Sequence, residues 1–163
     1  MDNLSLDVIS SGLRKQIDAT VKKKYGWNAE ELDAATLEFL RFLSLALSAP
    51  PAFIPVSEEI DEIWHVCILQ TQEYSELCNK ISPENFLHHK SERYETYADG
   101  IATEHLIEES VSWTINYIDR FGDFTPSSVK YWLFPNHLQS KLGWKIEEIN
   151  LLSRFYNDLF PEN

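Results

Sequence analysis

Apolar residues along this chain recur at helical spacing, and nowhere do they alternate over a useful length as a strand would require. Ile9, Leu13, Ile17 and Val21 repeat every four residues and predict an amphipathic first helix ending near Tyr25-Gly26. Asn28 with Glu31 three residues later forms an N-cap pair for a second helix through about Ser48. Its apolar residues (Leu32, Leu37, Phe39, Leu40, Phe42, Leu43, Leu45, Leu47) wrap most of the circumference, which predicts a central, buried helix. The proline-rich stretch 49–55 is a stiff connector. Ile60, Trp64, Cys67, Thr71, Tyr74 and Cys78 then recur at 4-3-4-3-4 spacing, one stripe on a third helix from Ser57 to about Lys80. Ser57 is its N-cap, the acids Glu58, Glu59, Asp61 and Glu62 suit its positive end, and Pro83 bounds it.

After the polar stretch 91–100, a fourth helix runs from about Ile101 to Phe121, with Gly122 as C-cap. Thr125-Pro126 opens a short fifth helix that stops near Pro135, and the last spans about Lys145 to Phe160. The expectation is an all-α fold: a single-domain bundle of about six helices over residues 1–163, the third packed against the second. Residues 26–33 and 143–150 echo one another for eight positions, which we read as shared helix-start chemistry rather than a repeat.

Composition narrows the class. At 163 residues, 44% hydrophobic and 13% aromatic, the chain can bury a substantial core and is not of disordered type. No apolar run reaches the length of a membrane span, and the N-terminus lacks the pattern of a secretion signal, so the expected location is cytoplasmic. The two cysteines, eleven apart on one predicted helix, sit too far along its axis to bridge and are expected as reduced core residues. Twenty-six acids against fourteen bases give a net charge of −12, which disfavours nucleic acid and anionic membrane surfaces. A basic protein partner remains compatible, beside the plainer reading of a solvated acidic surface.

Candidate chemistry gathers in residues 56–89. Asp61 and His65, four apart, share one helix face. On a straight helix Cys67 lies about 200° around from His65 and Cys78 roughly 20 Å along the axis, so neither sulfur shares an ion with it. Only a fold-back of the loop beyond that helix, which carries His88 and His89, adds ligands, and one of these adjacent histidines is expected to join. Asp61, His65 and His88 or His89 would suit zinc or another divalent ion with an open position. The competing structural reading is an Asp61–His65 pair that hydrogen-bonds in a largely enclosed polar pocket, with no metal response. That structural reading is the expected one, and the adjacent histidines narrow the gap without closing it. Trp64, on the apolar stripe, is expected in the core. The aromatic set Tyr94, Tyr97, Trp113, Tyr117, Tyr131 and Trp132 reads as packing. His105 and His137 show no partner in sequence.

The pattern Asp61-x-x-Trp64-His65, Ile68-Leu69-x-Thr71-x-x-Tyr74-x-x-x-Cys78 and Leu87-His88-His89 resembles the core signature of the glycine-rich domain-containing protein-like family, in its short bacterial-type form. Trp113-Thr114, Tyr117, Phe121-Gly122, Pro126 and Trp132 are similar to the segment beyond the histidine pair in the short versions. The resemblance covers about the middle half of the chain and implies its domain organisation. It supplies no reaction, and the sequence has no glycine-rich region.

Nucleophilic catalysis finds no support: there is no Gly-x-Ser-x-Gly elbow and no glycine-rich phosphate loop. Three classes stay open, in this order. The first is an accessory module that binds a protein partner. The second is a divalent-metal-binding protein, with or without hydrolytic chemistry. The third is an enzyme using Asp61–His65 as a general base.

Overall fold

Capping chemistry and apolar stripes set most helix boundaries in the computed structural model, which describes residues 4–89 and 103–159. After a 3₁₀ turn at Leu6–Val8, helix α1 spans residues 11–25. Its N-cap Ser10 accepts from the Leu13 N–H, and Gly26 terminates it in the left-handed region (φ 67°). Leu13, Ile17 and Val21 are fully buried. Their strict four-residue spacing exceeds the 3.6 residues of an α-turn, and a π-type segment at Asp18–Lys22 takes up the difference.

Helix α2, Ala29–Ser48, opens on the predicted capping box: Glu31 donates its backbone N–H to Asn28 Oδ1, and Asn28 its own to Glu31 Oε2, each at 2.9 Å. It is the central helix, with buried residues around most of its circumference. The connector then bridges to residues 131–133: Ser57 N–H donates to the Tyr131 carbonyl (2.9 Å) and Leu133 N–H to that of Pro55 (3.0 Å).

The third predicted helix is two. Helix α3 runs Glu58–Leu69 and α4 runs Thr71–Ile81, with Gln70 (φ −94°, ψ 65°) outside helical geometry between them. The pair folds as a hairpin, with α3 against α2 as expected. The apolar stripe survives the break because Ile60, Trp64, Cys67, Tyr74 and Cys78 all still face the core, while Thr71 at the bend is exposed. Ser57 stands at the N-cap position of α3, yet its hydroxyl makes no capping bond.

Helix α5, Thr103–Phe121, ends before Gly122 (φ 89°) as predicted; its expected start at Ile101 and the stretch 91–100, with Tyr94 and Tyr97, lie outside the described residues. The predicted fifth helix lies later in the chain than expected. Residues 125–131 form turns and a 3₁₀ turn, and helix α6 is Leu133–Leu142. Pro135 opens that helix instead of stopping it, since a first-turn residue has no intrahelical N–H bond to lose. The last predicted helix is also divided, into a single turn α7 at Ile146–Ile149 and α8 at Leu152–Leu159. Asn150 marks the break and is occupied elsewhere: its side chain accepts from Phe124 N–H (2.8 Å) and donates to the Phe124 carbonyl (3.0 Å). Gly26 and Gly143 both adopt positive φ before a helix whose third residue, Glu31 or Glu148, accepts the N-cap N–H, so the sequence echo is one of capping chemistry.

Buried residues from Leu13 to Leu152 form one hydrophobic cluster. The architecture is all-α, with no strand and no helix long and apolar enough to cross a membrane among the described residues.

Candidate metal centre

Asp61 and His65 stand one turn apart on α3, on the face away from the core. Because Gln70 turns the chain back, the segment after α4 returns along α3 and carries residues 87–89 to the same place. A buried relay anchors that return. Trp64 Nε1–H donates to the Tyr74 hydroxyl (2.9 Å), which donates to the Leu87 carbonyl (2.8 Å). Burial pushes the Tyr74 hydroxyl up from its ordinary pKa, so it remains a donor. Trp64 thus holds its expected core place, packed edge-on to Phe42 (5.0 Å between ring centroids) and against His89 (4.5 Å).

His89 is the histidine that joins. Its Nε2 lies 3.2 Å from Asp61 Oδ1, and its ring centroid lies 4.2 Å from that of His65. His88 points the other way, exposed, its ring 4.8 Å from Phe86. His65 Nδ1 lies 2.8 Å from the Asp61 backbone carbonyl and 3.5 Å from Asp61 Oδ2. A carbonyl only accepts, so Nδ1–H donates to it and Nε2 of a neutral ring keeps its lone pair. The predicted enclosed Asp61–His65 pocket is therefore corrected. The His65 side chain is 50% exposed, and the Asp61 carboxyl group is closer to His89. Asp61 and His89 are the sheltered members, at 14% and 13%.

Asp61, His65 and His89 each offer one ligand atom, and these atoms all lie within 4.8 Å of one another. Two donors about 2.1 Å from one ion at a tetrahedral angle stand about 3.4 Å apart. The 3.2 Å between His89 Nε2 and Asp61 Oδ1 fits one edge of such a site with little movement. It also fits a direct hydrogen bond, so the geometry accommodates the ion-free pair as well.

The cysteines stay out of the site: Cys67 faces away from His65 on the same helix, as expected, whereas the expected axial distance of Cys78 is removed by the break at Gln70. With α3 and α4 folded together, Cys67 and Cys78 both enter the core as free thiols, and burial pushes the Cys67 thiol up to about 12.

A second polar cluster escaped the sequence reading. Glu38 is 3% exposed in the middle of α2. Its carboxyl group accepts from Trp132 Nε1–H (2.9 Å), Arg41 Nη1–H (2.6 Å) and the Tyr117 hydroxyl (3.1 Å). Burial pushes this carboxyl group above the ordinary range, against the opposing pull of Arg41 and the two other donors. Its signal was a Glu-x-x-Arg pair inside an otherwise apolar helix. His105, unpartnered in sequence, sits 3.4 Å from Glu108 on the surface of α5.

Comparison of the chain with protein-family models, with curated proteins and with solved structures returns no match.

Proposed function

We propose that the chain binds one divalent transition-metal ion through Asp61, His65 and His89. The observation behind this reading is the arrival of His89: a third donor from a separate segment lies within 4.8 Å of the other two. Two imidazoles and a carboxylate are the donor set of several catalytic zinc sites, and also of iron(II) sites with open positions. The His65 Nδ1–H bond to a backbone carbonyl is the outer contact that orients a ligating imidazole and leaves its other nitrogen for the ion. Zinc is the first candidate. Three protein donors leave a fourth position for water or substrate, on the side where His65 meets solvent. An ion there would supply Lewis acidity to a bound water, which is the hydrolytic form of the proposal. Membership of the glycine-rich domain-containing protein-like family is part of the same proposal, since the more specific block of that resemblance lies at residues 61–89.

The test is zinc content and thermal unfolding after purification with zinc and after chelation. Expected are one equivalent of zinc per chain, a loss of thermal stability with chelator and recovery on adding zinc. Asp61→Ala, His65→Ala and His89→Ala should each remove the response, while His88→Ala and Cys78→Ala keep it. A response that survives His89→Ala, or its absence in the wild type, overturns the proposal.

An accessory module that docks a basic protein is the second reading. It is favoured by Leu142, Trp144 and Phe155, which stay 60%, 36% and 49% exposed on a chain of net charge −12. Here Trp144→Ser should abolish a partner complex that zinc-free Asp61→Ala retains; the reverse pattern refutes this reading.

A further inference from the structure

A cavity of about 450 Å³ opens between α5 and α6, away from the candidate metal centre. Trp113, Trp132, Phe53 and Phe134 contribute aromatic walls, with Ile107 at 44% exposure among the lining residues. The volume falls within the range of small-ligand sites, about 300–1,000 Å³. Among the described residues no Asp, Glu, Lys or Arg lines it. An ionised ligand would lose its hydration there without finding a counter-charge among these residues, and His137, the one titratable residue among the described lining, is exposed.

The polar groups of the lining narrow the ligand further. Ser110 and Thr114 are buried at 4% and 1%, and both hydroxyl protons are spent within α5. Ser110 Oγ–H donates to the Leu106 carbonyl (2.7 Å) and Thr114 Oγ1–H to that of Ser110 (2.9 Å). What these oxygens have left to offer a ligand is lone pairs. Trp132 Nε1–H is likewise committed to Glu38, which fixes the indole as a rigid wall. Apolar side chains of a docking helix would bring no donor to these acceptors.

We propose that this cavity binds an uncharged, largely aromatic small molecule carrying one O–H or N–H donor, of the phenol or indole class, with the donor directed at Ser110 and Thr114. The proposal is independent of the ion at Asp61, His65 and His89.

The experiment is calorimetric titration of the full chain with 2-naphthol, naphthalene and 2-naphthoate, with and without chelator, on the wild type and two variants. Ile107→Trp fills the cavity from a partly exposed position and leaves the core alone; Thr114→Val removes one acceptor at nearly constant shape. Expected is saturable one-to-one binding of 2-naphthol that chelator does not change. Naphthalene should bind about fivefold more weakly, by one hydrogen bond, and 2-naphthoate more than about tenfold more weakly. Ile107→Trp should weaken 2-naphthol about tenfold or more with thermal stability kept, and Thr114→Val should close much of the gap between 2-naphthol and naphthalene. Failure to saturate, equal binding of 2-naphthoate, or an unaffected Ile107→Trp variant overturns the proposal. So does concentration-dependent dimerisation that Ile107→Trp abolishes, which would make a second copy the occupant.

Discussion

Removing the Tyr74 hydroxyl should damage the fold and the site together, because one oxygen serves both. Tyr74→Phe keeps the buried ring and deletes the link between Trp64 Nε1–H and the Leu87 carbonyl. The indole N–H is then left in the core without an acceptor, at a cost of about 1–3 kcal/mol, and the lost bond to Leu87 adds about 1 kcal/mol. We expect a loss of about 2–4 kcal/mol by chemical denaturation, or a Tm lower by about 4–16 °C at this chain length. Leu87 lies two residues before His89, so releasing its carbonyl should let the third donor wander. Zinc affinity should fall about tenfold, the order seen when outer contacts of a metal site are removed. Trp64→Phe is the control: it too destabilises, by lost volume and one hydrogen bond, but leaves the Tyr74–Leu87 bond in place. Its zinc affinity should fall less. Equal zinc affinities in the two variants, or a Tyr74→Phe cost below about 0.5 kcal/mol, would show that the relay does not hold the loop.

Three other parts of the structure yield outcomes of their own. Glu38 has a folded-state pKa above its unfolded value of 4.5, so its contribution to stability is full below that pH and declines as pH rises through the folded value. In pH-dependent denaturation the advantage of the wild type over Glu38→Gln should shrink as pH rises above 4.5; an advantage that grows refutes the burial argument. A Cβ at Gly12 would collide with the Glu73 carboxyl group, which accepts from Ser10 Oγ–H at 2.6 Å. Glu73 must swing away and give up that bond, so Gly12→Ala should stabilise by less than the gain of about 1 kcal/mol usual in a helix, and by more in a Glu73→Ala background than in the wild type; equal effects in the two backgrounds, read from denaturation midpoints, refute the contact. With Cys67 raised to about 12 and both thiols buried, iodoacetamide near neutral pH should label neither in the native chain and both in denaturant, by mass spectrometry.

What the sequence made legible is what local chemistry decides. The Asn28–Glu31 box, the glycines after α1 and α5, and the stripe through Ile60, Trp64, Cys67, Tyr74 and Cys78 depend on residues a few positions apart. The break at Gln70 does not. No glycine or proline marks it, and the 4-3-4 spacing runs through it unchanged. The nearest sign is Leu69, a leucine 77% exposed just before the bend, a place that the stripe left unexplained. Pro135 misled because the same residue that ends a helix interior is tolerated in a first turn, and only its position in α6 tells the two apart. Glu38 reads in sequence as one polar residue in an apolar helix, because its partners Trp132 and Tyr117 come from 94 and 79 residues away.

The break at Gln70 is also what makes the site possible. On an unbroken helix Ile81 would lie about 30 Å beyond Asp61. The eight residues from Ile81 to His89, fully taut, span at most about 29 Å. A taut chain could not also form the turn that Asn85 N–H closes on the Ser82 carbonyl at 3.1 Å. Folding α4 back on α3 removes that distance and leaves the segment slack enough to turn and still deliver His89 to Asp61. The same fold-back sorts the chemistry by face. Trp64, Cys67, Tyr74 and Cys78 turn inward and are consumed by packing and by the relay, so sulfur is withdrawn from any ion. Asp61, His65 and His89 stay on the outer side, where a hard or borderline ion can enter from solvent. Oxygen and nitrogen donors at that place, with no thiolate beside them, are why an open site is proposed here and not a closed structural zinc knot.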